Sequence, residues 1–257
     1  MSNNPNTSRV KYYNSFNQDF AESRNQDFRL PEDYSWLGGF ARKVGSILLY
    51  PLILLIDFVY MKFVAHIRVR NKRVLRGEKG GYYLYANHTL LFGDVVDPFR
   101  ICWPKRPKIV CSAANLGIAI IGGWLPAAGA LPIPDSLRGL KDFSDAIAEF
   151  IKKKSPIVIY PESHMWPWYT DIRPFAAASF HYPVAYNAPV YTATTTFQEG
   201  RIFKKPKVTI YVDGPLNINK NLSRKEQQAD IAQKVRETME SRAKLSDYSY
   251  ITYRQKS

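Results

Sequence analysis

The pattern of apolar and polar positions divides the chain into three parts. Residues 1–30 mix Asn, Gln, Ser and Asp with scattered aromatics and show no sustained period. Such a stretch reads as a disordered tail, or as one that docks through its Tyr and Phe side chains. Val44–Ile56 is then 13 residues without a charge, VGSILLYPLILLI, and Phe58–Ile67 continues it past Asp57 with Lys62 inside. A spanning helix needs about 20 apolar residues, and Pro51 is expected to kink or end the first half. Residues 36–65 therefore read as an apolar helical hairpin lying in one leaflet. A buried core hairpin is the alternative.

From His66 onward short β-rich runs alternate with helical stretches. Strands are predicted at His66–Arg70, Tyr82–Ala86, Lys108–Ser112, Ile157–Tyr160, Pro189–Phe197 and Lys207–Val212. Leu140, Phe143, Ala146, Ile147 and Phe150 recur at helical spacing within Leu137–Lys153, behind Asp135 or Ser136 as N-cap. Ser223 and Glu226 form a capping-box signature before a charged helix over about Arg224–Lys244. This order predicts an α/β fold, a mixed, largely parallel sheet flanked by helices, over 66–257. A docking segment at 36–65 and a disordered tail at 1–35 would precede it.

Composition sharpens the partner. The chain has 257 residues, 46% of them hydrophobic, which supplies a sizeable core. Its net charge of +14 is uneven: residues 1–35 carry −1 and residues 36–257 carry +15. A body this basic expects polyanions, whether nucleic acid, an anionic lipid surface or phosphorylated substrates. No helix-turn-helix, zinc-finger or Gly/aromatic RNA signature occurs, and an apolar hairpin has no use on nucleic acid. Arg42 and Lys43 before the apolar segment, and Arg68, Arg70, Lys72, Arg73 and Arg76 after it, suit an anionic membrane. Each is worth about 1 kcal/mol near such a leaflet. Cys102 and Cys111 form no disulfide framework and no zinc spacing, which fits a reduced, cytoplasm-facing compartment and no metal site.

The candidate chemistry sits where predicted strands end. Asn87-His88-Thr89-Leu90-Leu91-Phe92-Gly93-Asp94 follows Tyr82–Ala86 directly, and ligand sites in open α/β sheets lie beyond the strands' carboxyl ends. His88 there can serve as a general base that Asp94 orients. Read singly, a histidine beside a strand is more often structural, and Asp94 could cap a helix beginning near Val95. Tyr160-Pro161-Glu162-Ser163-His164 ends another strand, where Glu162 would either meet a substrate hydroxyl or headgroup or cap its own loop. Gly129–Asp135 is a turn into a short strand and a helix start. Met165–Tyr169 is either an acyl-channel rim or a packed loop.

These blocks, in this order, resemble the glycerophospholipid acyltransferase family, the 1-acylglycerol-3-phosphate O-acyltransferases. The family's Asn-His…Asp block falls on Asn87–Asp94, its Gly…Ile-Asp-Arg block on Gly129–Ser136, its Phe-Pro-Glu-Gly-Thr-Arg-Ser block on Tyr160–Trp166, and its Pro-containing apolar strand on Tyr182–Val190. The likeness covers about residues 66–215. The chain departs from the family in two respects. Five residues separate His88 from Asp94 where the family has four, and the family's two arginines are absent, with Ser136 standing at one place and Ser163-His164-Met165-Trp166 replacing the other run. Arg138, Arg173 and Lys108 are the nearest replacements, each equally readable as a solvated surface charge; a planar guanidinium suits phosphate.

The resemblance implies an O-acyltransferase that moves a fatty acyl group from acyl-coenzyme A or acyl carrier protein to a lysophospholipid hydroxyl. The implied acceptor is 1-acylglycerol-3-phosphate, with another lysolipid or a glycolipid hydroxyl next. His88 would be the base and Asp94 its orienting partner. Asn87, Pro161, Glu162, Gly129, Arg138 and Arg173 would shape the substrate site, with Ser112 or Asn115 as oxyanion donors. No cofactor or metal is implied beyond the thioester co-substrate, and the protein would sit on the cytoplasmic membrane face as a monotopic or peripheral protein. The other reading is an acyltransferase-like fold that binds lipid without turnover.

Overall fold

The computed structural model describes residues 9–21, 27–200 and 206–256. Seven strands form the main sheet: β2 (Arg68–Arg70), β3 (Tyr83–Ala86), β4 (Lys108–Ser112), β5 (Ala130–Ile133), β6 (Ile157–Ile159), β7 (Val190–Gln198) and β8 (Lys207–Leu216). Their order is β2-β8-β7-β3-β6-β4-β5, parallel throughout except for β7 against β8. The expected mixed, largely parallel α/β sheet is the observed one. The central strands are buried on both faces, as parallel strands covered by helices must be. Tyr83, Tyr85, Ile157, Ile159 and Val190 point to one side and Leu84, Val158, Tyr191 and Ala193 to the other.

Helices cover both faces. α4 (Leu137–Lys152), the short α5 (His181–Tyr186) and α6 (Arg224–Ala243) lie on the first face, where Phe143, Ile147, Ile231, Val235 and Met239 enter the core. Their starts follow from local chemistry. The Ser136 hydroxyl accepts the Gly139 N–H at 3.1 Å, and the Ser223–Glu226 capping box closes in both directions. α1 (Phe40–Val59) and α2 (Gly93–Cys102) lie against the second face, and α1 also packs on the single turn α3 (Leu125–Ala128).

Three expectations change. The apolar segment is one helix rather than a hairpin: α1 continues through a wider, π-helical turn over Tyr60–Val64, giving 25 helical residues from Phe40 to Val64. Pro51 lies inside it at an exposed position. It removes the donor for the carbonyl four residues earlier, while contacts to α2 and α3 hold the helix on both sides of the gap. The Tyr182–Val190 block begins as α5, and its strand starts at Val190. The tail is bound where it is described: β1 (Val10–Tyr13) pairs in parallel with β9 (Thr252–Gln255). Tyr13, Phe16 and Phe20, each half-buried, pack their rings against the buried Trp166, with centroids 4.6, 5.7 and 5.2 Å away. That apolar contact overrides the polar composition around them. The rest of the first 35 residues, apart from 27–35, lies outside the described residues.

Candidate active site

His88 stands just past the carboxyl end of β3, the central strand of the sheet. Asn87 fixes that end. Its side-chain N–H donates to the Thr195 carbonyl at 3.0 Å and its side-chain oxygen accepts the Thr195 N–H at 2.8 Å, tying β3 to β7. Both amide functions are thereby used, and Asn87 is buried, so it is a positioning residue rather than a substrate ligand.

The loop Thr89–Phe92 then turns back into α2. The Asp94 N–H donates to the Leu90 carbonyl at 3.0 Å, and Asp94 Oδ2 accepts the Leu90 N–H at 2.9 Å. This closed turn absorbs the extra residue between His88 and Asp94. A Cβ at Gly93 would stand 2.7 Å from Asp97 Oδ2 and 3.0 Å from the Leu90 Cβ, so the turn needs glycine there. Asp94 Oδ2 consequently lies 2.8 Å from His88 Nδ1. An ionised carboxylate only accepts, so Nδ1 carries the imidazole proton and Nε2 keeps its lone pair. Asp94 is buried in the first turn of α2, where the helix dipole favours negative charge. The His88 side chain remains 20% exposed, which leaves the base open to a ligand.

Tyr160 completes the setting, and the sequence reading passed over it. Its ring stacks on the His88 imidazole with centroids 4.4 Å apart, and its hydroxyl donates to the Asp94 carbonyl at 2.5 Å. Burial, then Asp94 and Asp97 nearby, hold its phenol well above the usual range, so it stays a donor. The signal was its place as the aromatic residue before Pro161-Glu162.

Glu162 and Arg173 form a buried brace beneath this loop. Glu162 Oε2 accepts the His88 backbone N–H at 3.0 Å and faces the Arg173 guanidinium at 3.2 Å, while Oε1 accepts the Arg173 N–H at 2.8 Å. The guanidinium also donates to the His164 carbonyl and lies over the Trp166 ring. Arg173 is 1% exposed. It cannot present its charge to a substrate phosphate, and Glu162 cannot meet a hydroxyl; both hold the His88 loop. Pro161 is buried beside them. Trp166, fully buried, donates its backbone N–H to the His88 carbonyl at 3.1 Å, so Met165–Tyr169 is a packed loop at this point.

The other candidates lie apart. Arg138 is exposed at the start of α4, past the carboxyl end of edge strand β5. Three strand spacings separate β5 from β3, about 14 Å. Gly129 and Lys108 stand at the amino ends of β5 and β4, away from His88. Gly129 serves its turn at φ 108°, where a Cβ would meet the Pro107 carbonyl at 2.8 Å. Ser112 ends β4 on the site's side but accepts the Ala114 N–H at 3.3 Å within its own turn.

One further pair was not foreseen. Asp57 of α1 and Asp97 of α2 are buried, at 0% and 2% exposure, with no hydrogen-bond partner from any other described residue. The two carboxyls face one another. Burial first, then the neighbouring Asp57 and Asp94, push the Asp97 carboxyl up to about 9. Burial raises Asp57 to about 6, while Asp97, Arg100 and Lys72 favour its ionised form. Both carboxyls are thus pushed towards the protonated form, Asp97 the more strongly. A carboxyl raised in the fold stabilises fully below its unfolded value, about 3.9, and loses that contribution as pH rises towards about 9. Asp97→Asn is expected to melt higher than wild type at pH 8, with the gap shrinking towards pH 5 as thermal melts are repeated down the series. An unchanged gap across that range would remove Asp97 as its source.

No protein-family model matches the chain, and no curated protein sequence matches it. Among solved structures, it is similar to the 1-acyl-sn-glycerophosphate (LPA) acyltransferase PlsC from Thermotoga maritima. Identity is 13% and the TM-score 0.48, with 78% of this chain and 97% of that chain covered.

Proposed function

We propose that this chain is a membrane-docked O-acyltransferase that transfers a fatty acyl group from an acyl thioester to the free hydroxyl of a lysophospholipid. The observation that carries the reading is the His88–Asp94 pair at 2.8 Å, with the His88 side chain 20% exposed, at the carboxyl end of the central strand. The order of motif blocks around it supports the same class. A non-catalytic lipid binder draws its support from the extra loop residue and from the altered Ser163-His164-Met165-Trp166 run; the closed Leu90–Asp94 turn weakens the first of these and leaves the second.

In the proposed reaction, His88 Nε2 takes the proton of the acceptor hydroxyl as its oxygen attacks the thioester carbonyl carbon. Asp94 offsets the imidazolium charge that develops. The tetrahedral intermediate collapses with cleavage of the C–S bond, and the imidazolium returns the proton to the departing thiolate. The donor is acyl-coenzyme A or acyl carrier protein.

The membrane reading follows from the polarity of α1, which is inverted relative to a soluble helix. Its charged Asp57 is buried against the body, and Phe40, Ile47, Leu48, Leu52, Leu55 and Phe63 face outward. At about 1.5 Å per residue the helix is about 37 Å long, more than the roughly 30 Å hydrocarbon core, and the mean hydropathy of an 18-residue stretch within it is 2.0. Burying each outward Leu or Ile is worth about 1.5–3 kcal/mol. Contacts to α2 and α3 along its length favour a helix laid on the body and seated in one leaflet. The free Cys102 and Cys111 fit a cytoplasmic face.

The proposed acceptor is 1-acylglycerol-3-phosphate, giving phosphatidic acid. The burial of Arg173 and the distance of Arg138 favour a second reading, in which another lysolipid or a glycolipid hydroxyl is acylated. A panel of lysolipids differing in headgroup, each offered with acyl-coenzyme A and with acyl carrier protein, separates them. Preference for the phosphate monoester supports phosphatidic acid synthesis. Equal or better use of a neutral headgroup supports the second reading.

A further inference from the structure

The outward apolar surface does not end with α1. Between β4 and α3 the chain folds a small knob, Ile118–Trp124, whose side chains face water: Ile120 is 92% exposed, Trp124 61% and Ile121 52%. Its backbone is tightly bonded. The Gly122 N–H donates to the Ile118 carbonyl at 2.8 Å and the Trp124 N–H to the Ile121 carbonyl at 2.9 Å. A Cβ at Gly122 would come 2.1 Å from the Leu116 carbonyl oxygen, so the turn closes only around glycine.

Ile120 is held at φ 71°. A β-branched residue is strained there, where Gly or Asn would not be. In water this position gains nothing from isoleucine, neither contacts nor backbone ease. The side chain makes physical sense in a medium that rewards exposed hydrocarbon.

The surroundings say which medium. The knob leads directly into α3, and Ala127 of α3 lies 3.3 Å from where a Gly45 Cβ would stand on α1. Phe40, Ile47 and Leu48 are exposed on that half of α1. Arg42 and Lys43 stand in the first turn of α1 and Arg106 lines the cleft beside Ser46 and Tyr50 of the same helix, and none of the three has a carboxylate partner among the described residues.

We propose that Ile118–Trp124 is a second membrane-inserting element, seated in the hydrocarbon boundary of an anionic phospholipid leaflet beside α1. The inference rests on the membrane reading of α1 given above. One helix leaves the body free to roll about its axis; a second point of insertion fixes which way the sheet's carboxyl ends face.

The test places an environment-sensitive fluorophore on Ile120→Cys, and separately on Leu48→Cys of α1 and on Leu245→Cys as a remote exposed control, with Cys102→Ala and Cys111→Ala as background. Each is mixed with vesicles of phosphatidylcholine and phosphatidylglycerol carrying a quencher on the acyl chains. Quenching at positions 120 and 48 but not 245 is the expected result. Quenching at 48 with position 120 still in water overturns the knob while leaving α1 docking intact. No quenching at either overturns both. Ile120→Asn gives a second readout: vesicle binding about tenfold weaker, with thermal stability in water unchanged or higher. A variant that binds as tightly as wild type counts against insertion.

Discussion

His88→Ala is expected to lower acyl transfer by at least a factor of about 10²–10⁴, the usual worth of a positioned general base, while the melting temperature barely moves. The expectation of an intact fold comes from which atoms are removed. The His88 backbone N–H still reaches Glu162 at 3.0 Å, and its carbonyl still accepts from Trp166 at 3.1 Å. What disappears is a ring stacked on Tyr160 and bonded to Asp94. Asp94→Asn should cost nearly as much activity. An amide N–H turned towards Nδ1 forces the proton onto Nε2, the wrong tautomer for a base. Lysolipid affinity should survive both changes. Steady-state kinetics beside a binding titration separate loss of kcat from loss of affinity; a rise in KM at constant kcat would assign His88 to binding.

The second large effect is on stability. Arg173→Ala is expected to destabilise the protein by about 3–5 kcal/mol, because Glu162 would be left charged and buried without its partner. Both side chains are within 1% of full burial, so solvent screening offers little relief. The double variant Glu162→Gln, Arg173→Met should recover part of the loss, since no lone charge remains. Denaturant melts of the single and double variants measure this directly. A wild-type melt for Arg173→Ala together with a raised KM for a phosphate-bearing lysolipid would instead return Arg173 to the substrate.

The same residues show what the sequence can and cannot tell. Strand positions were legible because runs such as Ile157–Ile159 are apolar on consecutive residues, the mark of a doubly covered parallel strand. The block that holds His88 and Asp94 was legible from its place after a strand. Its closure was not, because it depends on Leu90 folding back over Gly93. The contact between Glu162 and Arg173 was not legible for a different reason. A carboxylate at a strand end and an arginine eleven residues later look free until the fold buries one against the other. The helix over Phe40–Val64 defeated local rules about Pro51 and Asp57 because both penalties are met by tertiary contacts, the prolyl gap by packing on α2 and α3, the carboxyl by Asp97. The resemblance put the family's apolar strand on Tyr182–Val190, whereas Tyr182–Tyr186 folds as a helix against the core under α6.

Acyl transfer by the purified wild-type chain, beside His88→Ala, tests the proposed chemistry most directly. Thiol release from acyl-coenzyme A and from acyl carrier protein would be followed with and without lysolipid, and the lipid product identified by mass. The expected result is thiol release that needs the lysolipid, yields one new ester per thiol and vanishes in His88→Ala. Equal release by the variant, or no product with either donor, would contradict a His88-based acyltransferase.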